Sequence, residues 1–354
     1  MALANKYRPK SFSEVIGQDN AVVALRNIIK NQNFHNGYIF SGSRGVGKTT
    51  LGRLFAKALN CSNYDLEKGE TCNVCTNCEA IQTNSHLDLI EIDAASRTGV
   101  DDMRELLDSV QYRPSQGKYK VYLIDEVHML SMQSFNALLK TLEEPPSHVI
   151  FIMATTETHK IPKTIISRCL QFNLKLVSDE LIKENIKKVF KEENVKSDEK
   201  SLDLLVELAK GSVRDSLSLL DRSIISQNFN NSEIDDQFVR KMLGIADRSK
   251  TLELIKFIFE GEKKSALHHL KEMIDEGLDP SNFLNDFLEI IYLLIRQKDL
   301  GEFDSDLSIS EAELANIKDI SKTINIKTLT LFWQFTLKAI QELSVVSNQF
   351  LSLE

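Results

Sequence analysis

The chain has 354 residues, of which 42% are apolar and 27% are charged, and its formal net charge is −8. This composition excludes a disordered or collagen-like chain, and no apolar run approaches the ~20 residues of a membrane-spanning helix. The acidic balance argues against a general nucleic-acid coat but is compatible with a local basic stripe. The length predicts two or three domains, and the first nine residues lack an apolar signal segment, which predicts a cytoplasmic protein.

The first half of the chain alternates short apolar strands with helices. Segments such as Lys48–Asn60 and Ser131–Leu142 have helical character and separate the strands. Nearly continuous apolar character is typical of strands that are buried on both faces, so the alternation predicts a parallel α/β sheet. The five predicted strands are Tyr38–Ser41, Leu87–Asp93, Lys120–Asp125, Val149–Thr155 and Leu170–Phe172.

A glycine-rich loop follows the first strand and opens a helix. The residues Gly42-Ser43-Arg44-Gly45-Val46-Gly47-Lys48-Thr49 fit the pattern G-x-x-x-x-G-K-[ST]. In such loops backbone N–H groups surround phosphates, the lysine reaches the β- and γ-phosphates, and the hydroxyl binds Mg²⁺. The N-terminus of the following helix adds a favourable dipole. We therefore predict a site for ATP and Mg²⁺ that extends from Gly42 through Thr50.

Four of the five cysteines fall within 18 residues, at Cys61, Cys72, Cys75 and Cys78. In a reducing compartment this clustering favours a metal over disulfides. Four soft ligands with no open position describe a structural Zn²⁺ site, and an iron–sulfur cluster is the main alternative. We expect the metal to stabilise the insert at residues 61–78 without affecting the ATP site. Cys169 stands alone, and its expected role is that of a buried small apolar residue.

An acidic pair, Asp125-Glu126, ends the third predicted strand. Asp125 is placed to hold Mg²⁺, and Glu126 is placed to polarise an attacking water molecule. Acidic pairs at strand ends also form ordinary turns and helix caps. The phosphate loop upstream favours the catalytic interpretation here.

After about residue 176 the apolar residues recur at helical spacing. A helical bundle is predicted to about residue 243, followed by a second helical region. The predicted domains are therefore 1–176, 177–243 and 244–354. Two arginines stand out: Arg168 lies just before the last predicted strand, and Arg214 lies where a predicted helix begins. Ser212 and Asp215 fit a capping box around Arg214, and a lone arginine is usually a solvated surface residue.

Several segments together resemble the AAA+ ATPases, and within them the gamma/tau family of bacterial DNA polymerase III subunits. The similarity is dense over residues 4–244, and the cysteine insert is typical of the gamma/tau branch. The segments are Tyr7-Arg8-Pro9 with Phe12, Val15-Ile16-Gly17-Gln18, the phosphate loop with its insert, Asp93-Ala94-Ala95-Ser96-Arg97-Thr98, Tyr122 to Leu130, Phe135 to Pro146, Ser167-Arg168-Cys169, and Gly211 to Ser218.

The resemblance implies roles for further residues. Arg8 and Pro9 would frame the adenine and ribose, and Thr156 would be the first sensor of the γ-phosphate, with Thr155 as the second choice. Arg168 would act in trans on the neighbouring subunit's ATP, and Arg214 would be the second sensor. The positions chosen for contacts with the DNA backbone are Arg97, Thr98, Arg104 and Lys140.

The resemblance also implies an architecture and a function. The fold would be an α/β AAA+ domain with a five-stranded parallel sheet and a zinc-binding insert, then a helical lid and a helical collar that oligomerises. The chain would be the short, gamma-like form of an ATPase subunit without a polymerase active site, working at the nucleoid. It would open the sliding clamp (beta) and load it onto primed DNA, with delta, delta-prime and copies of itself.

Two alternatives differ in class from a clamp-loading ATPase. The first is a non-hydrolysing scaffold subunit, which the intact Lys48, Thr49, Asp125 and Glu126 oppose. The second is a DNA branch-migration motor, which the cysteine insert and the collar-like third region oppose.

Overall fold

The computed structural model describes residues 2–96, 106–230, 234–243, 248–301, 311–343 and 345–353. The chain divides into two compact units, each described separately below. The first comprises Met1–Asn194 and Leu208–Arg222, and the second comprises Val195–Glu207 and Ser223–Glu354. Within the described residues, no helix combines the length and the apolar character that a bilayer crossing requires.

The first unit contains one parallel sheet of five strands. The strands are β1 Gly37–Ser41, β2 Leu89–Asp93, β3 Lys120–Asp125, β4 Val149–Thr155 and β5 Leu170–Asn173. Their order in the sheet is β2-β3-β4-β1-β5. All five predicted strands are confirmed, and the largest difference is that β2 begins at Leu89 rather than Leu87.

Helices flank the sheet and connect its strands. The predicted helix Lys48–Asn60 is confirmed, and the helix predicted from Ser131 begins one residue later because the Ser131 hydroxyl caps it, accepting from the Ser134 N–H. Residues 106–109 are also helical. The helices up to the end of the sheet are α1 Leu3–Lys6, α2 Asp19–Asn31, α3 Lys48–Asn60, α4 Thr76–Gln82, α5 Met132–Glu143 and α6 Lys163–Ile166.

Both faces of the sheet are buried, which explains the continuous apolar runs of its strands. Tyr38 and Phe40 pack on the face covered by α2 and α3, whereas Ile39, between them in the sequence, packs on the opposite face with α5. This alternation follows from the two-residue period of side chains along a strand. Gly52 lets α3 approach closely, since a Cβ there would lie 2.8 Å from a Leu123 methyl carbon.

The described chain after β5 is mainly helical, as the sequence predicts. In the second unit an apolar core forms among the later helices, with Ile255, Phe287, Leu294 and Leu329 buried within it. The helices are α7 Asp179–Glu192, α8 Glu199–Ala209, α9 Val213–Asn230, α10 Asp236–Leu243, α11 Arg248–Glu260, α12 Lys263–Asp275, α13 Pro280–Leu300, α14 Glu311–Thr323, α15 Ile326–Leu343 and α16 Gln349–Leu353.

A buried carboxylate fixes the turn that leads into β3. Asp88 is 2% exposed and accepts the backbone N–H groups of Ser115, Gln116 and Gly117 at 2.7, 2.6 and 2.7 Å. Burial opposes ionisation of Asp88, but these hydrogen bonds outweigh it and lower the pKa of the carboxyl group.

We expect Asp88→Asn to lower the free energy of unfolding by about 2 kcal/mol, because an amide cannot replace the charged acceptor of three N–H groups. Urea unfolding of the first unit's sheet, followed by circular dichroism, measures this loss. Asp108→Asn is the matched control, since Asp108 is exposed. Equal urea midpoints for the two variants would contradict the anchoring role of Asp88.

Candidate functional site

A large cleft of the first unit lies at the carboxyl end of the sheet. Its volume is about 1820 Å³. The N-terminal segment, the phosphate loop and the ends of β2 and β3 all contribute lining residues. The predicted site residues that line it are Arg8, Pro9, Arg44, Gly45, Val46, Gly47, Lys48, Thr49, Thr50, Asp125, Glu126 and Arg214.

The phosphate loop is closed against the start of α9. A Cβ on Gly45 would lie 2.0 Å from the Ser212 hydroxyl oxygen, and φ of Gly45 is +80°, so only glycine fits here without displacement. The Arg214 N–H donates to the Gly45 carbonyl at 3.3 Å. The Ser212 hydroxyl also accepts the Asp215 N–H at 3.2 Å, which confirms its predicted capping role. These contacts bring Arg214 to the cleft.

The Lys48 side chain is held inside the loop. Its ammonium donates to the carbonyl oxygens of Gly42 and Ser43 at 2.9 and 2.7 Å, and the residue is only 6% exposed. Burial lowers the pKa of Lys48, and the negative charges of Glu126 and Asp125 oppose that shift. The ammonium is therefore desolvated and oriented, and an anionic ligand in the loop would gain a cation that has already lost its water.

The acidic strand end meets the start of α3. The Thr49 hydroxyl donates to an Asp125 carboxylate oxygen at 2.7 Å, although 76 residues separate the two. The other Asp125 oxygen accepts the Glu126 N–H at 3.0 Å. Hydroxyl and carboxylate oxygens are the ligands that Mg²⁺ takes beside phosphates, so this pair fits the predicted ion.

Glu126 leaves the strand in the left-handed region, with φ +46°. A non-glycine residue with positive φ is uncommon and concentrates at functional sites. The Thr156 hydroxyl donates to the Glu126 carboxylate at 3.3 Å, whereas the buried Thr155 hydroxyl contacts the His128 ring nitrogen Nδ1 at 3.1 Å. Of the two threonines considered for the sensor role, Thr156, the first choice, is thus the one that contacts the acidic pair.

The sequence offered no role for His128. Its side chain is 7% exposed and lies between two carboxylates, with Nδ1 3.4 Å from Glu126 and Nε2 3.4 Å from Glu157. The sequence shows that His128 lies two residues after Glu126, but it does not show the direction of the ring. The 3₁₀ turn Val127–Met129 brings the ring back towards Glu126. His128 therefore restrains the carboxylate that the sequence assigns to catalysis.

The remaining predicted residues lie away from the cleft or outside the description. The Arg168 guanidinium donates to the Thr164 carbonyl at 2.8 Å and to Glu143 at 2.7 Å, and it is not a lining residue of the cleft. Lys140 is exposed on α5. Arg97, Thr98 and Arg104 lie outside the described residues.

The four clustered cysteines converge as predicted. Their sulfur atoms all lie within 4.8 Å of one another, and Cys72 Sγ is 3.6 Å from Cys61 Sγ and 4.0 Å from Cys78 Sγ. Four sulfurs at about 2.3 Å from a central Zn²⁺ in a tetrahedron are about 3.8 Å apart, so the set fits that ion. All five cysteines are free thiols.

The thiols differ in their environments. Burial raises the pKa of Cys61 and Cys78. Burial also opposes ionisation of Cys75, but hydrogen bonds from the backbone of Ser62 and Cys78 and from neighbouring thiols outweigh it and lower that pKa to about 6. Burial raises the pKa of Cys169 to about 12; this thiol packs against the core, although the residue is partly rather than fully buried.

Comparisons with known proteins cover nearly the whole chain. The family model "DNA polymerase III, delta subunit" matches residues 17–178. The model "DNA polymerase III clamp loader subunit, ATPase lid domain" matches residues 181–228, and "DNA polymerase III subunits gamma and tau domain III" matches residues 234–354.

Individual relatives agree with these matches. DNA polymerase III subunit gamma of Buchnera aphidicola subsp. Schizaphis graminum is 41% identical over 99% of this chain and 95% of its own length. DNA polymerase III subunit tau of Escherichia coli is also 41% identical over 99% of this chain, but the match covers 54% of that protein. The chain thus spans about half the length of several relatives that it matches.

A solved structure shares the fold. The Thermotoga maritima RuvB Holliday junction branch migration motor aligns with a TM-score of 0.50 over 73% of this chain and 80% of its own, at 21% identity. At that identity the likeness concerns the fold alone. Together with the five-stranded parallel sheet and the lid match, it confirms the predicted AAA+ fold.

Proposed function

Because the chain belongs to the DNA polymerase III gamma/tau family, we propose that it is an ATP-hydrolysing motor subunit of a clamp loader. The observation that carries the proposal is the convergence of Lys48, Thr49, Asp125 and Glu126 at one end of the cleft, with Thr49 and Asp125 in direct contact at 2.7 Å. A scaffold subunit that hydrolyses nothing has no need of this complete set.

Lys48 and the backbone of residues 42–50 bind the phosphates of ATP in this proposal. The ammonium exchanges its bonds to the loop carbonyls for bonds to the β- and γ-phosphates. Thr49 and Asp125 hold Mg²⁺, which supplies charge neutralisation at those phosphates. Arg8 and Pro9 also line the cleft, and in this proposal they frame the adenine and ribose.

Glu126 is the general base for hydrolysis. Its carboxylate accepts a proton from a water molecule as the water oxygen bonds to the γ-phosphorus and the bond to ADP breaks. Thr156 and His128 both contact one oxygen of this carboxylate, Oε2, and hold it in place. Thr156 reads the presence of the γ-phosphate through this contact, and Arg214 does so from the lid.

The four cysteines hold one structural Zn²⁺ per chain, in a site with no open position. The spacing of the sulfur atoms supports this choice, and an iron–sulfur cluster stays the alternative. The proposed domains are the α/β ATPase domain at 1–176, with its zinc insert at 61–78, the lid at 177–243 and the collar at 244–354.

The collar assembles the subunit with delta, delta-prime and further copies of itself. Large apolar side chains on its last helices support this role, since Leu331, Phe335 and Leu351 are 47%, 57% and 69% exposed. The assembly opens the beta sliding clamp and places it on primed DNA. Lys140, with Arg97, Thr98 and Arg104, contacts the DNA backbone, and the protein works in the cytoplasm at the nucleoid.

We expect steady-state ATP hydrolysis by the assembled complex to require the sliding clamp and primed DNA together. The reason is that a loader must couple hydrolysis to release of both. Phosphate release measured with clamp, DNA, both or neither tests the function. Stimulation by DNA alone would favour a translocating motor, and no hydrolysis under any condition would favour a scaffold.

Glu126→Gln should bind ATP normally and hydrolyse it at least ~100-fold more slowly, because the amide cannot accept the proton. Lys48→Ala should abolish binding, because it removes the buried ammonium from the loop. Equilibrium binding and single-turnover hydrolysis separate the two defects. As a control, Glu157→Gln removes the charge on the other side of His128 and should retain most of the hydrolysis rate. Normal turnover in Glu126→Gln would exclude Glu126 as the base.

Arg168→Ala should retain ATP binding but slow hydrolysis in the assembled complex. Its guanidinium lies outside its own cleft, so its proposed target is the γ-phosphate bound by the neighbouring subunit. Arginines in this role contribute roughly 10³–10⁵ in rate in well-studied phosphoryl transfer. Arg113→Ala removes an exposed arginine and serves as the charge-matched control.

Mixing Arg168→Ala chains with Lys48→Ala chains tests the action in trans. In a mixed complex an intact phosphate loop faces an intact arginine at some interfaces, so part of the turnover should return. Native mass spectrometry establishes that mixed complexes form. If they form and are as inactive as the parent variants, Arg168 does not act on the neighbouring subunit.

A further inference from the structure

The helix α3 physically joins the two sites of the first unit. It begins at Lys48 in the phosphate loop and ends at Asn60, with Cys61 of the metal cluster as the next residue. A helix of this length spans about 20 Å. The cysteine insert is therefore not an independent appendage, because its first ligand continues from the helix that carries the phosphate-binding residues.

A buried lysine on α3 ties the insert to the N-terminal wall of the cleft, defined here as residues 8–17. Lys57 is 2% exposed, and its ammonium donates to the Lys10 carbonyl at 2.6 Å. The same ammonium donates to the side-chain oxygen of Asn73, which follows the ligand Cys72. One cation thus bridges the insert and the wall, in a place where loss of either partner would leave a charge buried.

A carboxylate of the insert makes a second connection to the wall. Glu70 accepts the backbone N–H groups of Phe12 and Ser13 at 3.0 and 2.8 Å. It also pairs with Arg26 of α2, whose Nε donates to the Gly69 carbonyl at 3.1 Å. The Glu70 side chain is only 18% exposed, so these charge-assisted bonds are partly shielded from water.

The N-terminal wall lies beside the cleft along most of its length. Arg8, Pro9 and Lys10 line the cleft, and so do residues 13–17. Lys57 of α3 and Glu70 of the insert do not line it. They act on the cleft through the backbone of the wall, which they hold at Lys10, Phe12 and Ser13.

We propose that Lys57 and Glu70 are positioning residues through which the cysteine insert sets the affinity for the nucleoside part of the bound nucleotide. The four cysteines, with a metal bound, would fix the insert that carries Asn73 and Glu70, and these residues in turn hold the N-terminal wall against the base and ribose. The inference rests on the proposed nucleotide site. Sequence alone predicted that the metal site would leave the nucleotide site unaffected, and the contacts of Lys57 and Glu70 favour the opposite.

The test compares two ligands that both carry phosphates, of which only one has a nucleoside. Isothermal titration measures binding of ADP and of inorganic tripolyphosphate to Glu70→Gln and to Lys57→Met. We expect ADP affinity to fall about tenfold, as for the loss of a charge-assisted hydrogen bond, while tripolyphosphate affinity stays unchanged. Elemental analysis should still find one zinc per chain in Glu70→Gln.

Matched controls remove charges of the same sign from exposed positions in the insert or next to it, without touching the wall contacts. Glu79→Gln and Lys68→Met alter exposed side chains and should bind both ligands as the unmodified protein does. Removal of zinc by a chelator should reproduce the selective loss of ADP affinity in the unmodified protein. If Lys57→Met does not fold, Glu70→Gln and the chelated protein carry the test.

Unchanged ADP affinity in Glu70→Gln, or an equal loss for ADP and tripolyphosphate, would overturn the positioning role. Failure of the proposed nucleotide site gives a different result. In that case Lys48→Ala would bind both ligands as tightly as the unmodified protein does.

Discussion

The pairing of β1 with β4 and β5, rather than with β2, determines where the functional residues meet. In this order β1 lies inside the sheet, and the chain leaves it through the phosphate loop at the carboxyl end. Parallel strands present all their carboxyl ends at the same edge, so the residues after β1, β3 and β4 converge there. The contact between Thr49 and Asp125 and the contact between Thr156 and Glu126 both follow from this arrangement.

The same edge holds groups in conformations that cost free energy in isolation. Lys48 is a nearly buried ammonium, and Glu126 is a non-glycine residue in the left-handed region. Both are restrained by several hydrogen bonds from the surrounding chain, which is the condition under which such strain persists. The benefit is preorganisation, since the Lys48 ammonium has already lost its water and only exchanges one set of acceptors for another when phosphate binds.

The helix α3 connects the phosphate loop at this edge to residues farther away in the first unit. Gly52 allows the helix to lie against Leu123 and Ile152, so its position is set by the sheet on one side. Its far end supplies Lys57, which bonds to the N-terminal wall, and then Cys61, which begins the insert. The insert and the N-terminal wall are therefore both attached to the same helix. The phosphate loop and the cysteine cluster share this helix, so the position of each depends on the position of the other.

The local patterns of the sequence were sufficient to predict the strands, the helix Lys48–Asn60, the phosphate loop and the four-thiolate cluster. Each of these depends on residues close together in the chain, where apolar periodicity, glycine and ligand spacing act directly. Only the tertiary structure decided that His128 restrains Glu126 and that Lys57 and Glu70 hold the N-terminal wall. Their partners include backbone groups up to 58 residues away, as between Glu70 and Phe12, and a backbone N–H or carbonyl carries no mark in the sequence. Such contacts exist only once the packing of the sheet and its helices has brought distant segments together, because a charged side chain by itself is equally compatible with solvent.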